Sequence, residues 1–272
     1  MKDGFLRVAA ATPQIKTADC DYNAEAIAVL AEQGAQQGAG LIVFPELSLT
    51  GYTCGDLFAQ QTLQNGALNA LHLLCERTAA LDAVLVVGLP VTNEAKRFNC
   101  AAVLFKGKVL GLVPKKNVPN YGEFYEYRHF APGISGATIC INGEEVPFGT
   151  DLLFVCKNMP EFTLGVEICE DLWVPEPPSG ALCAAGATII ANPSASDEVI
   201  GKSDYRRALV TGQSARTVGA YVYCDAGEGE SSTDMVFSGD NLIAENGTCL
   251  LYTSCMLSFS LSSSTLQNFS QS

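Results

Sequence analysis

Short apolar runs recur along this chain, spaced at first by segments of 3.6-residue periodicity and later by tight turns, and this alternation constrains the fold more than any other feature. "FLRVAAA" reads as a strand. Residues 23–37 then place Ile27, Leu30, Ala31 and Gly34 at helical spacing behind Asn23 as N-cap. "GLIVFPE" is a buried strand that stops at Pro45. Residues 61–80 predict a second helix with Leu68, Leu71, His72 and Cys75 on one face, which makes His72 a packing residue. "AVLVVGLP" is the next strand, and "CAAVLFKGKVLGLVP" reads as two strands joined by a tight turn at Lys106-Gly107. After an irregular stretch at 115–135, "LLFVC", "TLGVEIC", "GATIIAN" and "AYVYCDAG" supply further strands, with a helix over 202–217. Helices must cover sheet faces, and hairpins must join antiparallel neighbours. The mixture therefore predicts a layered α/β sandwich and not a purely parallel doubly wound sheet.

Charge and cysteine usage narrow the function. The chain has 16 basic and 29 acidic residues in 272, a formal net charge of −13. Such a surface repels phosphate backbones and anionic lipid heads, so neither nucleic acid nor a membrane is an expected partner. The cysteines show no CxxC spacing and only 2 histidines are present, which argues against a metal site. Most cysteines read as small core residues of a protein in a reducing compartment, and the localisation expected is cytoplasmic. "MKDGFLRVAAATPQ" has an acid and a proline where a signal peptide needs an apolar run, and is read as a first strand. One domain is expected over residues 1–252. Residues 253–272, without a single charge and rich in serine, read as an atypical tail, either poorly ordered or foreign to the domain.

Three polar groups each stand just beyond a strand: Glu46 in "LIVFPELSLTGY", Lys115 in "LGLVPKKNVPNYGEFYE" and Cys169 in "LGVEICEDLW". Strand ends of a layered sheet converge on one rim, so residues distant in sequence meet there. Glu167, Glu170 and Asp171 crowd Cys169 and oppose its thiolate. A carboxylate base and an ammonium group beside the thiol would resolve that conflict, one accepting its proton and the other holding an oxyanion. Lys116 reads as a solvated neighbour, and "GEGES" at 227–231 as a turn lining an opening, since no Walker lysine follows it. His129 is expected to have no site role, whereas Trp173 either shapes the pocket or packs on it.

These residues resemble the nitrilase (carbon–nitrogen hydrolase) superfamily, which works with a Glu, Lys and Cys triad. More closely, they resemble the glutaminase domain of bacterial glutamine-dependent NAD synthetases. The resemblance runs from about residue 4 to about residue 247 and is carried by "FPELSLTGYTCGDLF", "PKKNVPNYGEFYEYRHFAPG", "GVEICEDLWVPEPPS" and "AYVYCDAGEGESSTDMVFSGDNLIAENG". It implies a four-layer α-β-β-α sandwich. It also implies that Glu46 is the general base, that Cys169 attacks the side-chain amide of L-glutamine, and that Lys115 stabilises the tetrahedral intermediate with the backbone N–H following Cys169. Glu126 matches a second glutamate that orients the lysine and the substrate amide. Tyr52, Tyr121, Glu170 and Ser196 match glutamine contacts, with Lys202 for the α-carboxylate. Charge alone supports Glu170 as the partner of an α-ammonium group. Asp171 is expected to cap the short helix after the nucleophile, and Glu167 to be structural.

In the resembled family, ammonia passes to an ATP-dependent synthetase domain that amidates deamido-NAD. This chain contains no "SGGxDS" loop, so the expectation is a glutaminase portion without its synthetase half. No cofactor is expected for the glutaminase reaction; ATP and Mg belong to the synthetase domain. The expected partners are a synthetase domain or chain and further copies in a homo-oligomer. A free-standing amidase acting on another small amide, or a catalytically silent scaffold domain, are the alternative readings.

Overall fold

A computed structural model describes residues 5–253 and 260–267. In chain order the elements are β1 (Phe5–Thr12), α1 (Cys20–Gln36), β2 (Leu41–Val43), α2 (Gln61–Thr78), β3 (Val84–Asn93), β4 (Lys96–Phe105), β5 (Lys108–Pro114), β6 (Ala137–Ile141), β7 (Glu144–Phe148), β8 (Leu153–Val155), β9 (Thr163–Val166), α3 (Pro178–Ala184), β10 (Ile189–Ser194), α4 (Lys202–Thr217), β11 (Ala220–Asp225), β12 (Asn241–Glu245), β13 (Thr248–Thr253) and β14 (Ser260–Gln267). They build an 8-stranded sheet, ordered β14-β1-β2-β3-β4-β5-β7-β6, and a 6-stranded sheet, ordered β13-β12-β11-β10-β9-β8. Each sheet has a parallel centre, β1-β2-β3 in one and β9-β10-β11 in the other, extended by antiparallel pairs and, in the larger sheet, by one further parallel pair, β5-β7.

Strand periodicity explains the layering. Successive side chains of a strand point to opposite faces. Along β1, Val8 and Ala10 face the second sheet, where they join Leu41, Val43, Val166, Ala191 and Val222. Ala9 and Ala11 face the other way, toward Ile27 of α1 and Leu71 of α2. Outside the second sheet, Leu182 of α3 and Val210 of α4 cover Ile190, Tyr221 and Tyr223. Because both faces of the central strands are covered, their sequences are almost uniformly apolar and not alternating. The result is the α-β-β-α sandwich that the resemblance implies.

Several local expectations are corrected. Helix α1 begins at Cys20 with Asp19 as N-cap, whose carboxylate accepts from Tyr22 N; Asn23 is buried inside the helix and bonds the backbone of Lys16 and Leu49 instead. The buried face of α2 runs through Leu63, Ala67, Ala70, Leu71, Leu74 and Cys75, so Leu68 sits at its margin. His72 is exposed, 3.4 Å from Glu76. In the uncharged segment from residue 253, Thr253 ends β13 and Ser260–Gln267 form β14, antiparallel to β1 from Phe5↔Gln267 to Thr12↔Ser260; residues 254–259 and 268–272 lie outside the described residues. The Lys106-Gly107 turn is as expected, with φ of 47° and 77°, the doubly left-handed geometry of a tight hairpin.

Candidate active site

The chain delivers its polar groups where central strands end. Glu46 follows β2 by three residues, and its N–H reaches across to Ser194 O of the other sheet at 3.3 Å. Gly88 of β3 lies so close beneath this segment that a Cβ there would stand 2.1 Å from Leu47 N and 2.7 Å from Glu46 C. Lys115 follows β5 directly and is pinned through its backbone, N to Asn99 O and O from Gly133 N, both at 2.8 Å. Glu126 opens a single 3-10 turn, Glu126–Arg128. Cys169 opens another, Cys169–Leu172, with φ at +45°.

These side chains converge in a buried charge cluster. Lys115 Nζ donates to Glu46 Oε1 and to Glu126 Oε1, both at 2.7 Å, and the three side chains are only 1%, 0% and 5% exposed. Asn99 Nδ2 donates to Glu46 Oε1 at 2.5 Å, with a longer contact to Glu126 Oε2 at 3.4 Å. Tyr52 donates its hydroxyl to Glu126 Oε1 at 2.8 Å. Glu46 Oε2 is buried and has no hydrogen-bond partner. It is the one carboxylate oxygen of the Glu46–Lys115 pair with its lone pairs uncommitted.

Electrostatics assign the resting charges. Burial pushes the Glu46 carboxyl up to about 7, against the pull of the Lys115 ammonium. The two carboxylates hold Lys115 firmly in its ammonium form, overcoming its desolvation. The Cys169 thiol is driven well above its ordinary value, first by burial and then by Glu46; Lys115 and the backbone N–H of Ala195 oppose this. At rest the sulfur is therefore a neutral thiol, and attack requires a base. A carboxylate poised near neutrality suits that task. The N–H of Glu170 lies in the first turn after Cys169, where a helix has no internal acceptor to offer.

The remaining candidates divide into three groups. Tyr121, Glu170, Lys202 and Trp173 form one contiguous surface: Tyr121 donates to Glu170 Oε2 at 2.8 Å, and Lys202 pairs with Asp197 while its ammonium lies 5.5 Å from the Phe124 ring and 5.3 Å from that of Trp173. Trp173 also packs on Tyr205, with ring centroids 5.5 Å apart. Tyr52 belongs instead to Glu126, and its loop is clamped by Glu230 of the "GEGES" turn, which accepts from Tyr52 N and Thr53 N at 2.6 and 3.0 Å. Ser196 is buried on a third cluster, its N–H on Asp225 Oδ1 at 2.8 Å and its hydroxyl 3.4 Å from Arg206 Nη2.

Asp171 caps as expected, accepting from Ile168 N at 3.0 Å, and its other oxygen takes Asn117 N at 2.8 Å. Glu167 is buried and accepts from Ser179 N at 2.6 Å. Lys116 is exposed. A cleft of about 190 Å³ beside the cluster is lined by Tyr52, Phe58, Glu126, His129, Phe130 and Met235, so His129 borders the site without touching the charges. Among the described residues, no group of three or more His, Cys, Asp or Glu side chains is arranged to hold a metal ion. Two site residues escape a reading of strand ends: Asn99, between the two glutamates, and Asn192, whose Oδ1 accepts from Cys169 N at 2.7 Å. The available signal was an amide inside an otherwise apolar strand, because a buried polar group must find a partner.

Fold and site together define a carbon–nitrogen hydrolase, and the profile of that family matches residues 7–251; the chain belongs to it. Its relatives are more particular. The glutamine-dependent NAD(+) synthetase of Mycobacterium bovis is 47% identical over 248 residues, 91% of this chain but 36% of that protein, and the one from Xylella fastidiosa (strain Temecula1) is 34% identical over 89% of this chain. The solved glutamine-dependent NAD(+) synthetase of Cytophaga hutchinsonii superposes with a TM-score of 0.86 at 28% identity, covering 96% of this chain and 43% of that one. An amidase from Nesterenkonia sp. superposes at 0.78 over 98% of this chain and 92% of its own, and at 20% identity it shows the shared fold alone. The chain thus spans about a third of the length of the mycobacterial relatives it matches. Among the described residues, no helix is long and apolar enough to cross a membrane.

Proposed function

We propose that the chain hydrolyses the side-chain amide of L-glutamine through a thioester on Cys169. Glu46 Oε2 takes the thiol proton as sulfur attacks the amide carbon, and Lys115 with the N–H of Glu170 receives the oxyanion. Glu46 then returns the proton to the departing nitrogen, and ammonia leaves a γ-glutamyl thioester. Water, deprotonated by Glu46, attacks the thioester carbon; the C–S bond breaks, the thiol regains its proton, and glutamate is released. The single observation that carries this reading is the unpartnered Glu46 Oε2 in a cluster whose other site-facing charges are paired. Glutamine is favoured as substrate by the relatives, which are glutamine-dependent enzymes, and by Glu170, suited to an α-ammonium group beside Tyr121.

The ammonia would serve an ATP-dependent conversion of deamido-NAD to NAD by a synthetase half, which brings its own ATP and Mg; the hydrolysis drawn above uses protein side chains and water alone. A cytoplasmic homo-oligomer is the setting we propose. The test is intact-mass analysis after incubation with an electrophilic glutamine analogue, followed by mapping of the labelled peptide. A single adduct on Cys169, and loss of ammonia release in Cys169→Ser, are expected. Turnover of simple amides with no turnover of glutamine would replace this reading with a free-standing amidase, and unchanged ammonia release by Cys169→Ser would end it.

A further inference from the structure

The left-handed backbone at Cys169, φ +45°, sets where the sulfur points, and few L-residues adopt it unless their surroundings impose it. Part of the constraint is local: Asp171 N bonds Ile168 O at 3.0 Å, and the Asp171 carboxylate bonds Ile168 N. The N–H of Cys169 itself goes elsewhere, to Asn192 Oδ1 at 2.7 Å, and Asn192 is wholly buried in β10. A primary amide has nearly the same shape either way round, so something must decide that oxygen and not nitrogen faces Cys169.

Tyr221 of β11 decides it. Its hydroxyl donates to Glu167 Oε1 at 2.5 Å, which leaves the phenol oxygen only lone pairs for its other neighbour. That neighbour is Asn192 Nδ2, donating at 2.7 Å. Oδ1 is thereby turned to Cys169, and Ser194 reinforces the choice by donating to the same oxygen at 2.9 Å. Glu167 is fixed in turn by Ser179 N of α3 at 2.6 Å. All of these side chains are buried, so no bulk water substitutes for a missing partner.

We infer that Asn192 is a positioning residue for the nucleophile, with Tyr221 and Glu167 fixing which end of its amide Cys169 meets. The inference rests on the proposed role of Cys169 as nucleophile and is tested apart from it. Tyr221→Phe keeps the ring and removes the hydroxyl that orients the amide; Asn192→Leu keeps the volume and removes the acceptor. The rate of Cys169 alkylation by iodoacetamide, measured with no amide substrate present, reports on the thiol alone; kcat and KM for glutamine report on turnover.

Both variants are expected to slow alkylation by about tenfold or more and to lower kcat by a similar factor, with KM within about threefold of the parent. Asn192→Asp retains an acceptor but adds a charge. Its alkylation is expected to approach the parent rate only at higher pH, a displacement that a merely loosened fold would not produce. Should Asn192→Leu fail to fold, Tyr221→Phe decides. A folded Tyr221→Phe with parental alkylation and parental kcat overturns the inference. If the parent protein turns over no glutamine, the proposed substrate fails while the alkylation rates still judge Asn192.

Discussion

Replacing Lys115 by methionine keeps the length of a buried side chain and removes only its charge. In the parent, one ammonium stands 2.7 Å from each of two carboxylates, and none of the three side chains is more than 5% exposed. Removing the cation leaves buried acid uncompensated, which costs about 3–5 kcal/mol when such a pair is broken. The loss must depend on pH. The pull of Lys115 is the largest influence lowering Glu46, whose carboxyl already sits at about 7, so in the variant it rises further and the folded state retains a proton. At pH 5.5 a protonated Glu46 needs no counter-ion, so the penalty should be smaller than at pH 8. Urea denaturation followed by circular dichroism at pH 5.5 and pH 8 gives both values. A destabilisation that is equal at the two pH values, or below about 1 kcal/mol at pH 8, would falsify the reading of Glu46–Lys115–Glu126 as a tightly coupled buried cluster. Amide hydrolysis should fall by about 10²-fold or more at either pH, because the proposed oxyanion donor is gone.

Two further outcomes follow from the geometry. Gly88→Ala drives a methyl group into the backbone of residues 45–47, with Pro45 O only 2.6 Å away, so the segment carrying Glu46 must move. It should cost about 1–3 kcal/mol in stability and about 10²-fold in kcat, whereas Gly180→Ala, with nothing within 4 Å, should leave both near parental values. Stability should also fall as pH rises from 5 to 7.5. Burial lifts Glu167 and Asp225, like Glu46, to about 7, so the folded state holds protons that the unfolded chain has already released above its ordinary carboxyl range. Each such group is worth up to about 3 kcal/mol across that window. Since net negative charge acts in the same direction, Glu167→Gln isolates one share: its pH dependence should be shallower by about that amount, and an unchanged slope would exclude a buried, proton-holding Glu167.

What could be read from residue order, and what could not, separates along physical lines. The central strands and α4 were legible because strands covered on both faces need continuous apolar runs, and 202–217 carries a helical pattern matched by Lys202–Thr217. The meeting of Glu46 with Lys115 was legible because each stands within three residues of the end of such a run. The face of α2 was misread because Leu68 and His72 lie on the helical grid but at its wet edge, and a period does not fix the phase of a stripe bordered by small residues such as Ala67 and Ala70. Two hairpins went unread although Asn142-Gly143 and Asn246-Gly247 turn them with paired positive φ, a signal present in the sequence. Strand β14 was hidden by its serines, since an edge strand is held by backbone pairing with β1 and needs little apolar content of its own.

The thiol set among acids follows from the same division between charge and geometry. Cys169 is buried and faces Glu46 and Glu126, so a standing thiolate would be repelled, and one lysine shared between two carboxylates cannot fully offset that. A site of this kind does not store a reactive anion. It holds a carboxyl near its neutral point, Glu46, and keeps the Lys115 cation paired with two carboxylates. In the proposed mechanism activation coincides with substrate binding: as sulfur loses its proton to Glu46, negative charge leaves the carboxylate and appears on the amide oxygen, and Lys115 can follow it. On that reading the acids that look hostile in sequence couple those two movements, and Asn99, which bridges Glu46 and Glu126, would hold the carboxylates in register while the charge moves.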